Sequence, residues 1–137
     1  MVRPTCLIPS LVLPLSLTLS LAMAPATPAR AEAPMTRAEL GRSETATETE
    51  TIVSELRMMP GAYLRLHTHP GDEHVYVVKG GPMTTRDGRT IAFEPGGYLF
   101  FPRGQLHGGL TAAGEGEVVV MTVHVVDKGQ PVYDYAE

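Results

Sequence analysis

Turn-forming residues divide most of this chain into short segments, and that division limits the folds it can adopt. From Thr47 onward a turn signal recurs about every eight to twelve residues, and no long stretch of helical periodicity is free of Gly or Pro. Asp87-Gly88 is a strong hairpin signal. The β-rich runs between turns predict strands at 52–58, 62–68, 74–78, 83–86, 89–93, 98–101 and 118–126. Many short strands with regular turns predict an all-β sandwich or barrel.

The first 31 residues have the pattern of a secretory signal peptide. Arg3 gives a short basic start, residues 7–24 are apolar or small and uncharged, and Ala29-Arg30-Ala31 fits a small-x-small cleavage site. The alternative is a transmembrane anchor, which needs about 20 strongly apolar residues. Two prolines and four hydroxyl residues inside the apolar run weaken that alternative. We therefore predict a signal peptide at 1–31 and a secreted or periplasmic protein, with no membrane contact after cleavage.

Cleavage after Ala31 would leave a small acidic chain without cysteine. Removing 31 of the 137 residues leaves 106, and losing Arg3 and Arg30 leaves 9 basic against 15 acidic residues, a formal charge of −6. Such a chain has no disulfide scaffold and no Cys-based zinc site, and the absence of a basic cluster argues against a nucleic-acid partner. Residues 32–46 are polar and weakly patterned and predict a flexible lead, which is followed by a barrel domain at 47–137.

A concentration of histidines predicts a metal site. His67 and His69 are two residues apart in a predicted strand, so both side chains project from one face. The chain then turns at residues 70–72, which lets Glu73 reach the same face. Two imidazoles and one carboxylate form a facial set that holds a divalent metal and leaves coordination positions open. The candidate for a fourth ligand is His107, which lies in a glycine-containing turn.

These residues and their spacing resemble the two sequence motifs of the cupin family. The first motif is matched at every position, by Gly61, His67, His69, Glu73 and Gly80. The second is matched up to its last member, by Gly96, Pro102, Gly104 and His107. Thr111 stands where that motif usually ends in Asn, which is not a metal ligand in the family. The resemblance implies a double-stranded β-helix, a jelly-roll barrel with His67, His69, Glu73 and His107 as its four metal ligands.

Other polar residues near these motifs are candidates for contacts with a ligand. Arg65 shares the parity of His67, which predicts a position at the cavity mouth where it could bind a carboxylate; the alternative is an arginine at the barrel rim. Tyr63 and Tyr98 could stack on a ligand or pack in the core, and Gln105 is a further polar candidate.

Two histidines fall outside the predicted ligand set. By strand alternation, His74 should point away from the metal. His124 shares the parity of Val118 and Val126, and the sequence leaves open whether that face looks into the barrel. The alternatives for His124 are a buried, hydrogen-bonded histidine and a histidine that contacts the metal ligands or the substrate.

These observations predict an exported, metal-binding cupin domain with a small-molecule ligand. Iron, manganese and zinc all suit three histidines and one carboxylate, and the ligand set does not rank them. Two classes of function stay open: an oxygenase-type, decarboxylase or isomerase enzyme acting on a small oxygenated or carboxylate compound, and a non-catalytic sensor, scavenger or scaffold. A cavity beside an open coordination position would favour the enzyme. The family resemblance and the small core also predict a homodimer.

Overall fold

A computed structural model describes residues 35–44 and 48–136, so the predicted signal peptide at 1–31 lies outside the described residues. Within this part of the chain there is no helix of the length and hydropathy needed to cross a membrane. Its secondary structure consists of strands and turns, which confirms the all-β prediction. The strands are β1 (Met35–Glu44), β2 (Thr49–Met58), β3 (Tyr63–Leu64), β4 (His67–Thr68), β5 (Gly71–Lys79), β6 (Gly81–Thr85), β7 (Thr90–Phe93), β8 (Tyr98–Phe101), β9 (Leu110–Ala112), β10 (Val118–Asp127) and β11 (Asp134–Tyr135).

Most of these strands belong to two antiparallel sheets. The larger sheet has the order β1-β2-β10-β5-β8, and the smaller has the order β3-β9-β6-β7. The short strands β4 and β11 pair with each other. The predicted hairpin at Asp87-Gly88 joins β6 to β7, and Gly88 has a φ of 83°, a conformation that glycine adopts without steric cost. The predicted strand at 62–68 is divided into β3 and β4.

The hydrophobic core lies between the two sheets. Alternate residues of β2, β5 and β10 are buried, as the period of two in a half-buried strand requires. Burying each such aliphatic side chain contributes about 1.5–3 kcal/mol. Met83 of β6 and Ala112 of β9 complete the core from the smaller sheet. The larger sheet contributes Leu56, Met58, Val75, Val77, Val118 and Val120 to this core cluster.

The structure corrects the prediction of a flexible lead for Met35–Glu44, which forms the edge strand β1. Every residue of β1 is exposed, so the segment carries no apolar alternation that a sequence reading could detect. Backbone pairing with β2 holds it instead, with a register shift between Glu39 and Gly41. Arg42 adds ion pairs to Glu39 and, across the strands, to Glu50. Irregular pairing and charged side chains are common on edge strands because they discourage pairing with further chains.

Candidate metal centre

Four predicted ligand side chains converge on one another in the structure. His67 lies on β4, His69 follows it, Glu73 lies on β5, and His107 comes from the connection between β8 and β9. One potential ligand atom from each residue lies within 4.8 Å of the others. Glu73 is held in the sheet between His124 on β10 and Phe101 on β8, its Cα partners on the two neighbouring strands. These four side chains could therefore hold one metal ion.

Backbone hydrogen bonds bring His107 to the first motif. The His67 N–H donates to the carbonyl of His107 at 2.9 Å, and the His107 N–H donates to the carbonyl of His67 at 3.0 Å. This isolated bridge joins two distant segments. It places His107 beside His67, although 39 residues (68–106) lie between them in the sequence.

All three ligand histidines are oriented by main-chain carbonyls. The Nδ1 atoms of His67, His69 and His107 donate to the carbonyl oxygens of Arg65, Val132 and Gln105 at 2.6, 2.6 and 2.8 Å. Because a carbonyl oxygen can only accept, each Nδ1 carries a proton, and each ring in its neutral form presents a lone pair at Nε2. Fixing the tautomer and the ring direction in this way is typical of metal-ligating histidines.

When the rings are neutral, the atoms that converge at the centre are all acceptors, and a bound cation would offset their mutual repulsion. Glu73 Oε2 lies 2.8 Å from His107 Nε2 and 3.2 Å from His69 Nε2, and the two Nε2 atoms are themselves 3.2 Å apart. Two ligands that share an ion at about 2.1 Å lie about 3.0–3.4 Å from each other. The donor set and its spacing therefore fit a divalent transition metal, with the choice among iron, manganese and zinc left open.

The electrostatics of the cluster favour a neutral His67 imidazole beside an ionised Glu73 carboxylate. Burial lowers the pKa of His67 to about 4, against a smaller opposing effect of its bond to the Arg65 carbonyl. Burial alone would raise the pKa of Glu73, but the nitrogens of His107, His124 and His69 outweigh it and hold that pKa well below its usual range. Burial also opposes protonation of His107, yet its contact with Glu73 raises its pKa overall. Metal ions require deprotonated ligands, so His67 and Glu73 are already in the required state at neutral pH.

Gly108 lets the backbone pass close to His67. Its φ is 90°, and an added Cβ would overlap the Arg65 carbonyl and lie 3.2 Å from His67 Nδ1. That carbonyl is the acceptor that orients His67. A side chain at position 108 would therefore disturb both the backbone and a metal ligand.

A small cavity of about 40 Å³ adjoins the cluster. His67, Glu73 and His107 form one part of its wall. Most of the remaining wall consists of apolar side chains, namely Leu56, Met58, Leu64, Val75, Phe93, Leu99, Phe101, Leu110 and Val120. An apolar cavity with a few convergent polar groups is the usual form of a small-molecule site.

The four side chains predicted to contact a ligand do not line this cavity. Arg65 is exposed and its guanidinium carbon lies 4.2 Å from the centre of the Tyr135 ring. Tyr63 is half-buried on β3, and Gln105 is exposed in the connection before His107. Tyr98 is 60% exposed on the outer face of the larger sheet. Their contact with a ligand stays a prediction, and only the backbone carbonyls of Arg65 and Gln105 touch the site.

The structure separates the two remaining histidines. His74 lies on the outer face of β5, as predicted, and a hydrogen bond of 2.7 Å joins its Nδ1 to the Tyr98 hydroxyl. His124 is fully buried, and its ring centre lies 4.5 Å from that of His69. Its Nε2 approaches Glu73 Oε1 to 3.2 Å, although the two are not aligned as a hydrogen bond. His124 is therefore a contact of the metal site.

Residues 130–136 form a part of the site that the motifs do not reveal. Val132 supplies the acceptor for His69, and the Tyr133 ring centre lies 4.9 Å from that of His69 and 5.4 Å from that of His67. Burial raises the pKa of the Tyr133 hydroxyl, so it stays protonated. The available sequence signal was weak: two tyrosines two positions apart, outside both motifs.

Comparison with solved structures shows the same fold at low sequence identity. A double-stranded β-helix protein from Klebsiella pneumoniae has a TM-score of 0.56 at 18% identity, over 81% of this chain and 90% of that one. The polyketide cyclase RemF from Streptomyces resistomycificus also scores 0.56, at 22% identity over 75% and 71%. The DMSP lyase DddQ from Ruegeria pomeroyi scores 0.50, at 17% identity over 63% and 43%. The comparison with curated proteins found no match.

The sequence itself also matches a protein family. The family model of the cupin domain covers residues 54–125, a range that includes all four candidate ligands and most of the residues that line the cavity. The match spans more than half of the chain, and the solved structures share its fold. The chain belongs to the cupin family.

Proposed function

We propose that this protein is an exported, metal-dependent enzyme that acts on a small oxygenated or carboxylate compound. The observation that carries the proposal is the position of the ligand cluster in the wall of an apolar cavity. Three histidines and one carboxylate leave coordination positions free on a metal of five or six ligands. Because His67, Glu73 and His107 line the cavity, a small molecule inside it would lie next to those positions.

The residues of the chain have separable roles in this proposal. The three imidazoles would bind the metal through Nε2, and Glu73 would supply the negative charge that offsets part of the metal charge. A divalent metal held there would polarise a carbonyl or hydroxyl oxygen or, if it were iron, would supply reactivity towards dioxygen. The apolar wall excludes water from the ligand, which strengthens polar interactions at the cluster.

Comparison with enzymes of this fold supports catalysis as the class of function. One of the solved structures with a similar fold is a polyketide cyclase and another is a DMSP lyase. At sequence identities of 22% and 17%, the similarity shows a shared fold and does not show that this chain has those activities. The support is that a barrel of this kind can accommodate an enzyme active site.

Metal analysis followed by an activity screen tests the proposal. We expect the purified protein to contain about one transition metal ion per chain, and His69→Ala to contain far less. Dioxygen uptake and substrate loss would then be measured with catechol-like and oxo-acid compounds. Stoichiometric metal without turnover of any compound would favour the non-catalytic sensor, scavenger or scaffold. A protein without metal would overturn the site assignment.

Export is proposed from the sequence of residues 1–31 alone. Expression of the full chain in a Gram-negative host, followed by fractionation and intact-mass measurement, tests it. Cleavage after Ala31 should give a periplasmic product that begins at Glu32. A full-length product in the membrane fraction would instead favour the transmembrane anchor.

We also propose a homodimer, supported by apolar side chains on the outer face of the larger sheet. Tyr76 and Val78 of β5 lie beside Tyr98 and Phe100 of β8 on this face, and all four are exposed. Contiguous exposed apolar surface often marks a protein contact. Light scattering should show a dimer for the wild type and for Leu106→Glu, and a monomer for Phe100→Glu. A monomeric wild type would contradict the proposal.

A further inference from the structure

Arg37 brings a positive charge to the metal-site cavity from outside both cupin motifs. It lies on β1 opposite Leu56 of β2, in the register of the inward-facing residues. Arg37 lines the cavity together with His67, Glu73 and His107, and no other arginine or lysine of the described chain does so. The strand that the sequence did not predict therefore adds a cation to the site.

The guanidinium group of Arg37 is held by an aromatic ring and not by a carboxylate. Its central carbon lies 4.0 Å from the centre of the Tyr133 ring. Within the described residues it has no ion pair, whereas Arg42, Arg57 and Arg103 each pair with acidic side chains. Stacking uses the face of a guanidinium and leaves its edge N–H groups available, and that edge matches a carboxylate.

Thr122 is a second polar group in this cavity that has neither a hydrogen-bond partner nor an ion pair among the described residues. It is 2% exposed, it lines the cavity, and its Oγ1 atom has no hydrogen-bond partner within the described part of the chain. A buried hydroxyl without a partner is destabilising unless something else satisfies it. On the same face of β10, His124 is also buried without a hydrogen bond at either ring nitrogen. A ligand oxygen in the cavity would satisfy Thr122.

The separation of these groups limits the size of the ligand. The Tyr133 ring is close to both Arg37 and the cluster, since its centre lies 4.0 Å from the guanidinium carbon and 4.9 Å from the centre of the His69 ring. A ligand that reaches both sides therefore spans little more than one aromatic ring. The walls between are mainly aliphatic or aromatic and offer no partner for a second charge.

We propose that the cavity binds a small, mainly apolar carboxylic acid, whose carboxylate pairs with Arg37 while Thr122 hydrogen-bonds to a ligand oxygen. The assignment rests on the proposed function in placing this ligand beside the metal cluster. It differs from the sequence-based prediction in the arginine that it names, because Arg65 stacks on Tyr135 away from the cavity. The carboxylate subsite itself consists of residues that are not metal ligands.

Matched acids and amides test the subsite. Butanoate, pentanoate and hexanoate, with their primary amides, would be titrated into the purified protein by calorimetry or ligand-observed NMR. We expect each acid to bind more tightly than its amide. Arg37→Gln should weaken the acids about tenfold, the effect of losing a hydrogen-bonded charge pair, and change the amides less than about twofold. Arg65→Gln is the matched control, since it removes an arginine that also stacks on a tyrosine, and should keep the preference.

Thr122→Val separates a ligand contact from a structural role. The substitution conserves shape and removes a hydroxyl that has no partner, so the free protein should melt at the same or a higher temperature while acids bind about threefold to tenfold more weakly. Equal binding of acids and amides to the wild type, or a preference that survives Arg37→Gln, would overturn the proposal. His69→Ala distinguishes the two proposals: an Arg37-dependent preference in this metal-poor variant supports the subsite whatever the outcome for metal-dependent activity.

Discussion

At alkaline pH, Glu73→Gln should raise the stability of the metal-free protein and lower the stability of the metal-bound protein. Glu73 Oε2 lies 2.8 Å from His107 Nε2 and 3.2 Å from His69 Nε2. At pH values above the raised pKa of His107, its Nε2 lone pair faces the carboxylate lone pairs of Glu73, which is repulsive. The NH₂ group of a glutamine would replace one such contact with a hydrogen bond worth about 0.5–1.5 kcal/mol. Below that pKa the protonated His107 pairs with Glu73, so the same substitution should destabilise the protein.

The loss of stability in the metal-bound protein should be far larger than the gain in the metal-free protein. Replacing an anionic ligand with a neutral amide should raise the metal dissociation constant at least about a hundredfold. With metal at about a thousand times the wild-type dissociation constant, binding stabilises the fold by about 4.1 kcal/mol, and after a hundredfold loss by about 1.4 kcal/mol. For a domain of about 100 residues, where 1 kcal/mol corresponds to about 4–8 °C, the metal-induced rise in Tm should shrink by roughly 10–20 °C.

Thermal melting at about pH 9 with and without zinc measures both effects, and competition with a chelator measures the dissociation constant. Glu55→Gln is the control, because Glu55 lies on β2 and pairs with the surface residue Arg57. Two results would refute the reasoning: a zinc-induced rise in Tm as large as in the wild type, or a metal-free variant that melts below the wild type at this pH. The first would remove Glu73 from the ligand set, and the second would mean that its carboxylate does not face acceptor lone pairs.

Three further predictions concern the same centre. His69→Ala should remove most of the bound metal and lower the Tm, and unchanged metal content by elemental analysis would contradict the site. Gly108→Ala should lower both stability, by about 1–3 kcal/mol, and metal affinity in a chelator competition; Gly104→Ala has a similar φ of 72° but open space around it, and a comparable loss in both variants would argue against the close contact. The metal-free protein should lose stability as the pH falls from about 6.5 to about 4, because folded His67 stays neutral while unfolded His67 binds a proton. Denaturant titrations should show a flatter pH dependence for His67→Gln, and an unchanged slope would assign the effect to other groups.

The candidate ligands were predictable because their placement follows from local rules. His67 and His69 share a face through strand alternation, and the turn before Glu73 returns the chain to that face. His107 required the spacing of the second motif, and the structure joins it to His67 through two backbone hydrogen bonds. The outward direction of His74 follows from the same alternation and is confirmed.

Other parts of the site depend on contacts that no local pattern encodes. The orientation of His124 depends on the register that places it opposite Glu73, and a shift of one residue would have reversed it. Arg37 reaches the cavity from an edge strand whose residues are all exposed and show no alternation. Arg65 has the parity of the ligands but lies beyond the end of β3, at 64, where parity no longer predicts direction.

The hydrogen bond from His69 to Val132 has a consequence for the order in which the site is assembled during synthesis. All four ligands and every strand of the larger sheet precede residue 128, whereas the acceptor that orients His69 comes after it. A nascent chain that has emerged as far as Asp127 therefore has its metal-binding side chains but not the contact that sets the His69 tautomer. Metal affinity should rise late, once β11 has paired with β4 and Val132 has reached His69, so that full loading reports on chains whose C-terminal segment has docked.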